Sequence, residues 1–222
     1  MARFSRIEVA LKMFHTGIVP VYYHPDLELV KQVIKACYKG GIRVFEFTNR
    51  GDGADRLCRQ LLEHCRVEFP DLALGIGSIV EAPTASLYIQ MGMDFIVSPL
   101  LHPEMAKVCN RRKVLWAPGC GTMTEIGLAE ELGAEVVKIF PAAQVGGPSF
   151  VKGIKGPSPW TNLMPTGGVS PQKEELDSWF QAGVWCVGMG SKLISPELIK
   201  RAKFDDLTHK VKSAIQVVSA YR

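Results

Sequence analysis

The chain has 222 residues, with 26 Lys or Arg against 22 Asp or Glu and a net charge of +4. Apolar residues make up 47% and charged residues 22%, which excludes a disordered chain, a collagen-like repeat and a coiled-coil rod. So small a charge, with no Lys/Arg run beyond two except Arg111-Arg112-Lys113, argues against a nucleic-acid partner and against an anionic-membrane partner.

In chain order, an amphipathic segment at 4–14 comes first and reads as a helix. A β-branched and aromatic run follows at 18–23, then a helix at 26–39 with Leu27, Val30, Val33, Ile34 and Cys37 at helical spacing. Further apolar runs lie at 42–48, 72–78, 94–98, 113–118, 135–140, 162–166 and 184–188. Each has the length and near-continuous apolar character of a strand buried on both faces. Helices are predicted between them at 54–69, 84–91, 103–110, 122–132 and 171–182, with a shorter crossover at 149–154 and a last helix at 205–218. Proline stands at or near several helix starts, and Gly40-Gly41, Gly92, Gly133 and Gly183 fall at the far ends.

Eight runs joined by crossovers, without a hairpin signal, predict a parallel sheet. An open doubly wound sheet and a closed (β/α)₈ barrel both satisfy that alternation. Eight repeats in 222 residues, with an extra N-terminal helix, favour the α/β TIM barrel. No Gly-x-Gly-x-x-Gly follows the first run, which weighs against a dinucleotide fold. No linker or low-complexity segment divides the chain, so residues 1–222 are expected to form one domain.

The start, Met-Ala-Arg-Phe-Ser, is followed by no apolar signal region, and no apolar stretch approaches about 18 residues. Cys37, Cys58, Cys65, Cys109, Cys120 and Cys186 are scattered without a C-x-x-C, so they read as reduced, buried thiols of a cytoplasmic protein. His15, His24, His64, His102 and His209 form no H-x-H or H-x-x-x-H pair, and no metal is expected.

Chemistry in such a barrel sits at the C-terminal ends of the strands. On the second run Val44, Glu46, Thr48 and Arg50 share one face by the period of two. On the sixth, Lys138 lies inside the apolar sequence Val136-Val137-Lys138-Ile139-Phe140. A lysine there snorkels to solvent, pairs with a carboxylate, or has its pKa lowered by desolvation. An uncharged buried lysine is a nucleophile towards carbonyls, forming a Schiff base. A carboxylate within reach moves protons for it, and an arginine grips a substrate carboxylate. Glu46, Arg50 and Lys138 therefore supply one function each, unless Glu46 and Lys138 form a purely structural ion pair with Arg50 solvated. The seventh and eighth runs end in Pro165-Thr166-Gly167-Gly168 and Val187-Gly188-Met189-Gly190-Ser191. They read either as ordinary tight turns or as backbone amides placed for a phosphate, with a short helix expected near Ser191.

Several segments together resemble the 2-keto-3-deoxy-6-phosphogluconate/4-hydroxy-2-oxoglutarate aldolase family. They are Val19-Pro20-Val21, the stretch Gly40-Gly41-Ile42-Arg43-Val44-Phe45-Glu46-Phe47-Thr48-Asn49-Arg50, Gly75-Ile76-Gly77-Ser78-Ile79-Val80, Phe95-Ile96-Val97-Ser98-Pro99, Ala117-Pro118-Gly119-Cys120, Val137-Lys138-Ile139-Phe140-Pro141-Ala142 and Pro165-Thr166-Gly167-Gly168-Val169-Ser170. The resemblance implies a class I aldolase on a trimeric (β/α)₈ barrel, working without cofactor or metal on a pyruvate-containing keto acid. It implies Lys138 as the Schiff-base lysine, Glu46 as general acid/base and Arg50 as the holder of the pyruvate carboxylate. Ser78 stands where the family usually has threonine. Pro99, Phe140 and Thr166 match pocket-lining positions; Gly167, Gly168, Gly188 and Ser191 match the phosphate loops. Gly51-Asp52-Gly53 and Met189 depart from the commoner pattern, which leaves the preferred aldehyde open. Rival readings are a phosphate-binding barrel isomerase or epimerase, a metal-dependent aldolase, and a non-catalytic sugar-acid-binding barrel.

Overall fold

The computed structural model describes residues 1 to 222. Nine strands form: β1 Ile18–Tyr22, β2 Val44–Thr48, β3 Ala73–Gly77, β4 Phe95–Val97, β5 Leu115–Ala117, β6 Gly119–Cys120, β7 Val137–Ile139, β8 Leu163–Pro165 and β9 Val187–Met189. Ten helices accompany them: α1 Arg6–Thr16, α2 Leu27–Lys39, α3 Ala54–Glu68, α4 Ala82–Met91, α5 Pro103–Arg112, α6 Met123–Glu131, α7 Gly147–Lys155, α8 Lys173–Gln181, α9 Pro196–Lys200 and α10 Phe204–Ser219. None is long and apolar enough to cross a membrane.

Every strand pairing is parallel. Six strands in the order β5-β4-β3-β2-β1-β9 form a half-barrel, and β6-β7-β8 form a second sheet. The fifth predicted run stopped at 118, but the chain stays extended to Cys120 and is split at Pro118. Proline has no N–H for a ladder; its carbonyl instead accepts the Lys138 amide at 2.9 Å.

The local reasons for these elements are familiar ones. The Ser5 hydroxyl and the Glu8 carboxylate cap each other's backbone amides at the start of α1. Proline opens α4, and Gly92 closes it at φ +102°, where a side chain would be strained. The 149–154 crossover is a full helix, α7, and α9 begins at Pro196, five residues past the short helix expected near Ser191.

The strands divide their side chains by the period of two. Val137 and Ile139 join a core of 51 buried residues that includes the buried faces of the helices. On the other face Val19, Val44, Ala73, Phe95, Leu115, Val136, Met164 and Cys186 form a smaller cluster with Val9, Ala10 and Met13 of α1. Helix α1 therefore lies across the N-terminal ends of strands from both sheets. Lys12 donates to the Asp71 carbonyl (2.8 Å), and the Trp185 indole donates to the Ala10 carbonyl (3.1 Å). Arg6 pairs with Glu135. The N-terminal end is thus plugged by α1.

Candidate active site

Lys138 sits in the middle of β7 on the same face as Val136, because the alternation that sends Val137 and Ile139 to the helices sends Lys138 the other way. Its side chain is 6% exposed, and its Nζ lies 4.0 Å from Oε1 of Glu46, itself 1% exposed. The two strands belong to different sheets, so the pair spans the space between them. Burial pushes the Glu46 carboxyl above its usual range, while the positive charges of Lys138 and Arg50 pull it down less strongly. Room for that carboxylate comes from Gly77 on the neighbouring strand, where any Cβ would overlap it. The other oxygen, Oε2, is buried without a partner in the chain. A structural ion pair would normally satisfy its remaining lone pairs; this one does not.

Above the pair opens a cavity of about 520 Å³. Arg50, Phe140, Thr166, Gly167, Gly168, Gly188 and Ser191 are brought together on its wall. Lys138, Glu46, Ser78 and Pro99 are not on that wall; Lys138, Glu46 and Ser78 each lie next to it through a neighbour. The Lys138 ammonium stands 4.9 Å from the Phe140 ring. Thr48, on the wall, is two residues along β2 from Glu46. The Pro99 carbonyl packs on Gly119, the register partner of Lys138, where a Cβ would collide with it. Arg50 Nε reaches Ser78 Oγ at 3.5 Å. Ser78 holds φ +62°, a left-handed value that costs a β-branched residue more than serine. Arg50 itself lies beyond the end of β2 and is exposed, so it is a rim group rather than a strand residue.

The glycine loops are shaped by backbone contact. Gly167 and Gly168 take φ +95° and +89°. The Gly167 carbonyl accepts the Ala143 amide at 3.1 Å, and a Cβ on Gly168 would meet Ala143 Cβ at 2.6 Å. Gly188 clears space for the Thr166 hydroxyl, whose Oγ1 is buried and unpartnered. The helix expected near Ser191 is instead a single turn, with the Leu193 and Ile194 amides both bonded to the Gly190 carbonyl at 3.0 Å. Pro196 allows the next helix to begin only five residues later, as α9. Met189 points into the larger core and does not reach the cavity.

Sequence reasoning missed Tyr22, Tyr23, His24, Lys192 and Lys200, which also line the wall. Tyr22 ends β1 and Tyr23 and His24 follow it, and a position at or just past a strand's C-terminal end was the available signal. Tyr23 packs against Phe47 with its ring tilted, centroids 5.6 Å apart, and covers Gly51, which explains a glycine in the loop after Arg50. No group of three or more His, Cys, Asp or Glu side chains gathers in the chain.

Parallel strands with polar groups at their C-terminal ends, under a mouth of glycine loops, are the layout of an α/β enzyme. The chain belongs to the family described as KDPG and KHG aldolase, whose model matches residues 9–210. A 2-dehydro-3-deoxy-phosphogluconate aldolase of Dickeya dadantii is 30% identical over 203 residues, 91% of this chain and 92% of the relative. The KHG/KDPG aldolase of Escherichia coli is 29% identical over 199 residues, 90% and 91% of the two chains. A KDPG aldolase of Legionella pneumophila, solved with pyruvate captured as a covalent carbinolamine, superposes with a TM-score of 0.83 at 26% identity, covering 92% of this chain and 97% of that one.

Proposed function

We propose that this protein is a class I aldolase that cleaves 2-keto-3-deoxy-6-phosphogluconate to pyruvate and glyceraldehyde 3-phosphate, with 4-hydroxy-2-oxoglutarate, giving pyruvate and glyoxylate, as a second substrate. It is a lyase of the KDPG and KHG aldolase family. One observation carries the chemistry. A buried lysine lies 4.0 Å from a buried carboxylate that has an unpartnered oxygen, beside a cavity lined by their strand neighbours Phe140 and Thr48.

In this reading Lys138, as the free amine, adds to the C2 ketone, and Glu46 moves the protons by which the carbinolamine loses water. The iminium is an electron sink. The Glu46 carboxylate takes the proton of the C4 hydroxyl, the C3–C4 electron pair flows to the iminium nitrogen, and C4 leaves as the aldehyde. The enamine left on Lys138 is protonated at C3, and water releases pyruvate. Arg50 holds the pyruvate carboxylate with help from Ser78, and Pro99, Phe140 and Thr166 shape the pocket. Gly167, Gly168, Gly188 and Ser191 receive the phosphate, with Lys192 and Lys200 adding positive charge at the same wall. No cofactor or metal enters any step.

Further elements of the reading concern architecture and setting. Residues 1–222 form one domain, and the two sheets are arcs of one closed (β/α)₈ barrel. Closure is supported by Pro118 alone separating β5 from β6, by the Thr166–Gly188 bridge, and by the Trp185 amide bonded to the Leu163 carbonyl at 2.9 Å. The working unit is a homotrimer in the cytoplasm. Exposed Val80, Leu87 and Leu100, which follow the adjacent strands β3 and β4, supply apolar surface for a subunit contact. An aldol-cleavage panel tests the function: 2-keto-3-deoxy-6-phosphogluconate, its galactonate epimer and 4-hydroxy-2-oxoglutarate, read by pyruvate release. Release from the phosphorylated substrate is expected. Release from none of the three contradicts the reading.

A further inference from the structure

Thr48 is the last residue of β2 and is 1% exposed, yet its Oγ1 has no hydrogen-bond partner in the chain. It is on the cavity wall, and it shares a face with Glu46, whose Oε2 is also unpartnered. Valine has the same shape and would fill the same space without an orphaned hydroxyl, so packing does not account for a threonine here. The hydroxyl is left available to a molecule that enters the cavity. Two residues along a strand span about 7 Å, so one oxygen held between Thr48 and the longer Glu46 side chain is within reach of both.

We propose that Thr48 is a catalytic residue: its hydroxyl donates to the C4 oxygen of the keto acid while Glu46 removes that oxygen's proton. This rests on the aldolase reading above. The C4 oxygen gains negative charge as its proton leaves, and a donor already aimed at it favours that moment over the ground state. A neutral donor suits a neutral hydroxyl, while the charged Arg50 at the rim suits the carboxylate. The bonds broken and formed are those of the cleavage itself. Thr48 keeps its proton throughout.

The test uses Thr48→Val, Thr48→Ala and Thr48→Ser in the full chain, with two readouts. One is kcat for aldol cleavage. The other is exchange of pyruvate methyl protons with deuterated water, which needs Lys138 and Glu46 but involves no C4 hydroxyl. Thr48→Val and Thr48→Ala should each lose at least about tenfold in cleavage kcat and keep exchange within about twofold. Thr48→Ser should retain both, and Thr48→Val should melt no lower than the unmodified chain. Cleavage at the unmodified rate in Thr48→Val, or equal losses of cleavage and exchange, would overturn the role of Thr48. An unmodified chain that exchanges no pyruvate protons would overturn the aldolase reading and this inference with it.

Discussion

Two buried carboxylates, one near each end of the strands, have opposite surroundings. Asp94 precedes β4 at the plugged end, and both its oxygens are bonded, one by the Arg3 amide (2.7 Å) and one by the Leu74 amide (3.0 Å). Glu46 lies at the open end with Oε2 unpartnered and only Lys138 near Oε1. Burial raises both pKa values, with hydrogen bonds opposing it at Asp94 and the positive charges of Lys138 and Arg50 opposing it at Glu46. For each, the folded value exceeds the unfolded one. The associated stability is therefore complete below the ordinary carboxylate pKa and is lost as pH rises through the raised one. At the plugged end the polar group is fully used in holding α1 and the strands together. At the open end, the hydrogen-bonding capacity of Glu46 is left unused within the chain.

Substitutions can break or sharpen this contrast. Lys138→Ala should lower cleavage by several orders of magnitude while circular dichroism shows the chain still folded. Phe95→Ala should do the reverse. It cuts the α1-side cluster, and denaturant unfolding should show a loss of about 3–5 kcal/mol while the folded fraction keeps its cleavage rate. Glu46→Gln should cost at least about 10² in kcat. In the unmodified chain the acid limb of the pH–rate profile should lie above the ordinary carboxylate range, with rate falling as pH falls and Glu46 takes up its proton. Glu46→Gln should abolish that limb. Asp94→Asn turns an acceptor into a donor against a backbone amide, so it should cost about 1–3 kcal/mol in stability and leave the limb in place. Smallest of all, thiol reagents should label nothing in the native state. All six cysteines are buried, and burial holds Cys65, Cys109, Cys120 and Cys186 up at about 12.

Much of the open end was legible because its signals are local. Period two separated Lys138 from Val137 and Ile139, and it aligned Glu46 with Val44. Glycines at 167, 168, 188 and 190 mark the loops in the sequence itself. What escaped depends on contacts distant in sequence. The helix at 4–14 was readable, but its role as a plug depends on Val9 and Met13 meeting Val44 and Phe95. Tyr23 and Gly51 explain each other only once β1 and β2 are neighbours. Thr48 shared a face with Glu46 in the sequence, but its unsatisfied hydroxyl appears only when every possible partner has been placed. Pro118 and the turn at Ser191 shifted boundaries because a missing N–H and a tight turn end regular structure at single residues.

The central claim is that the Lys138 amine bonds covalently to pyruvate. It is tested most directly by borohydride reduction in the presence of pyruvate, followed by mass spectrometry of the peptide spanning Lys138. Inactivation with a single reduced pyruvyl adduct on Lys138 is the result predicted. An unmodified Lys138, or an adduct on another lysine, would contradict it.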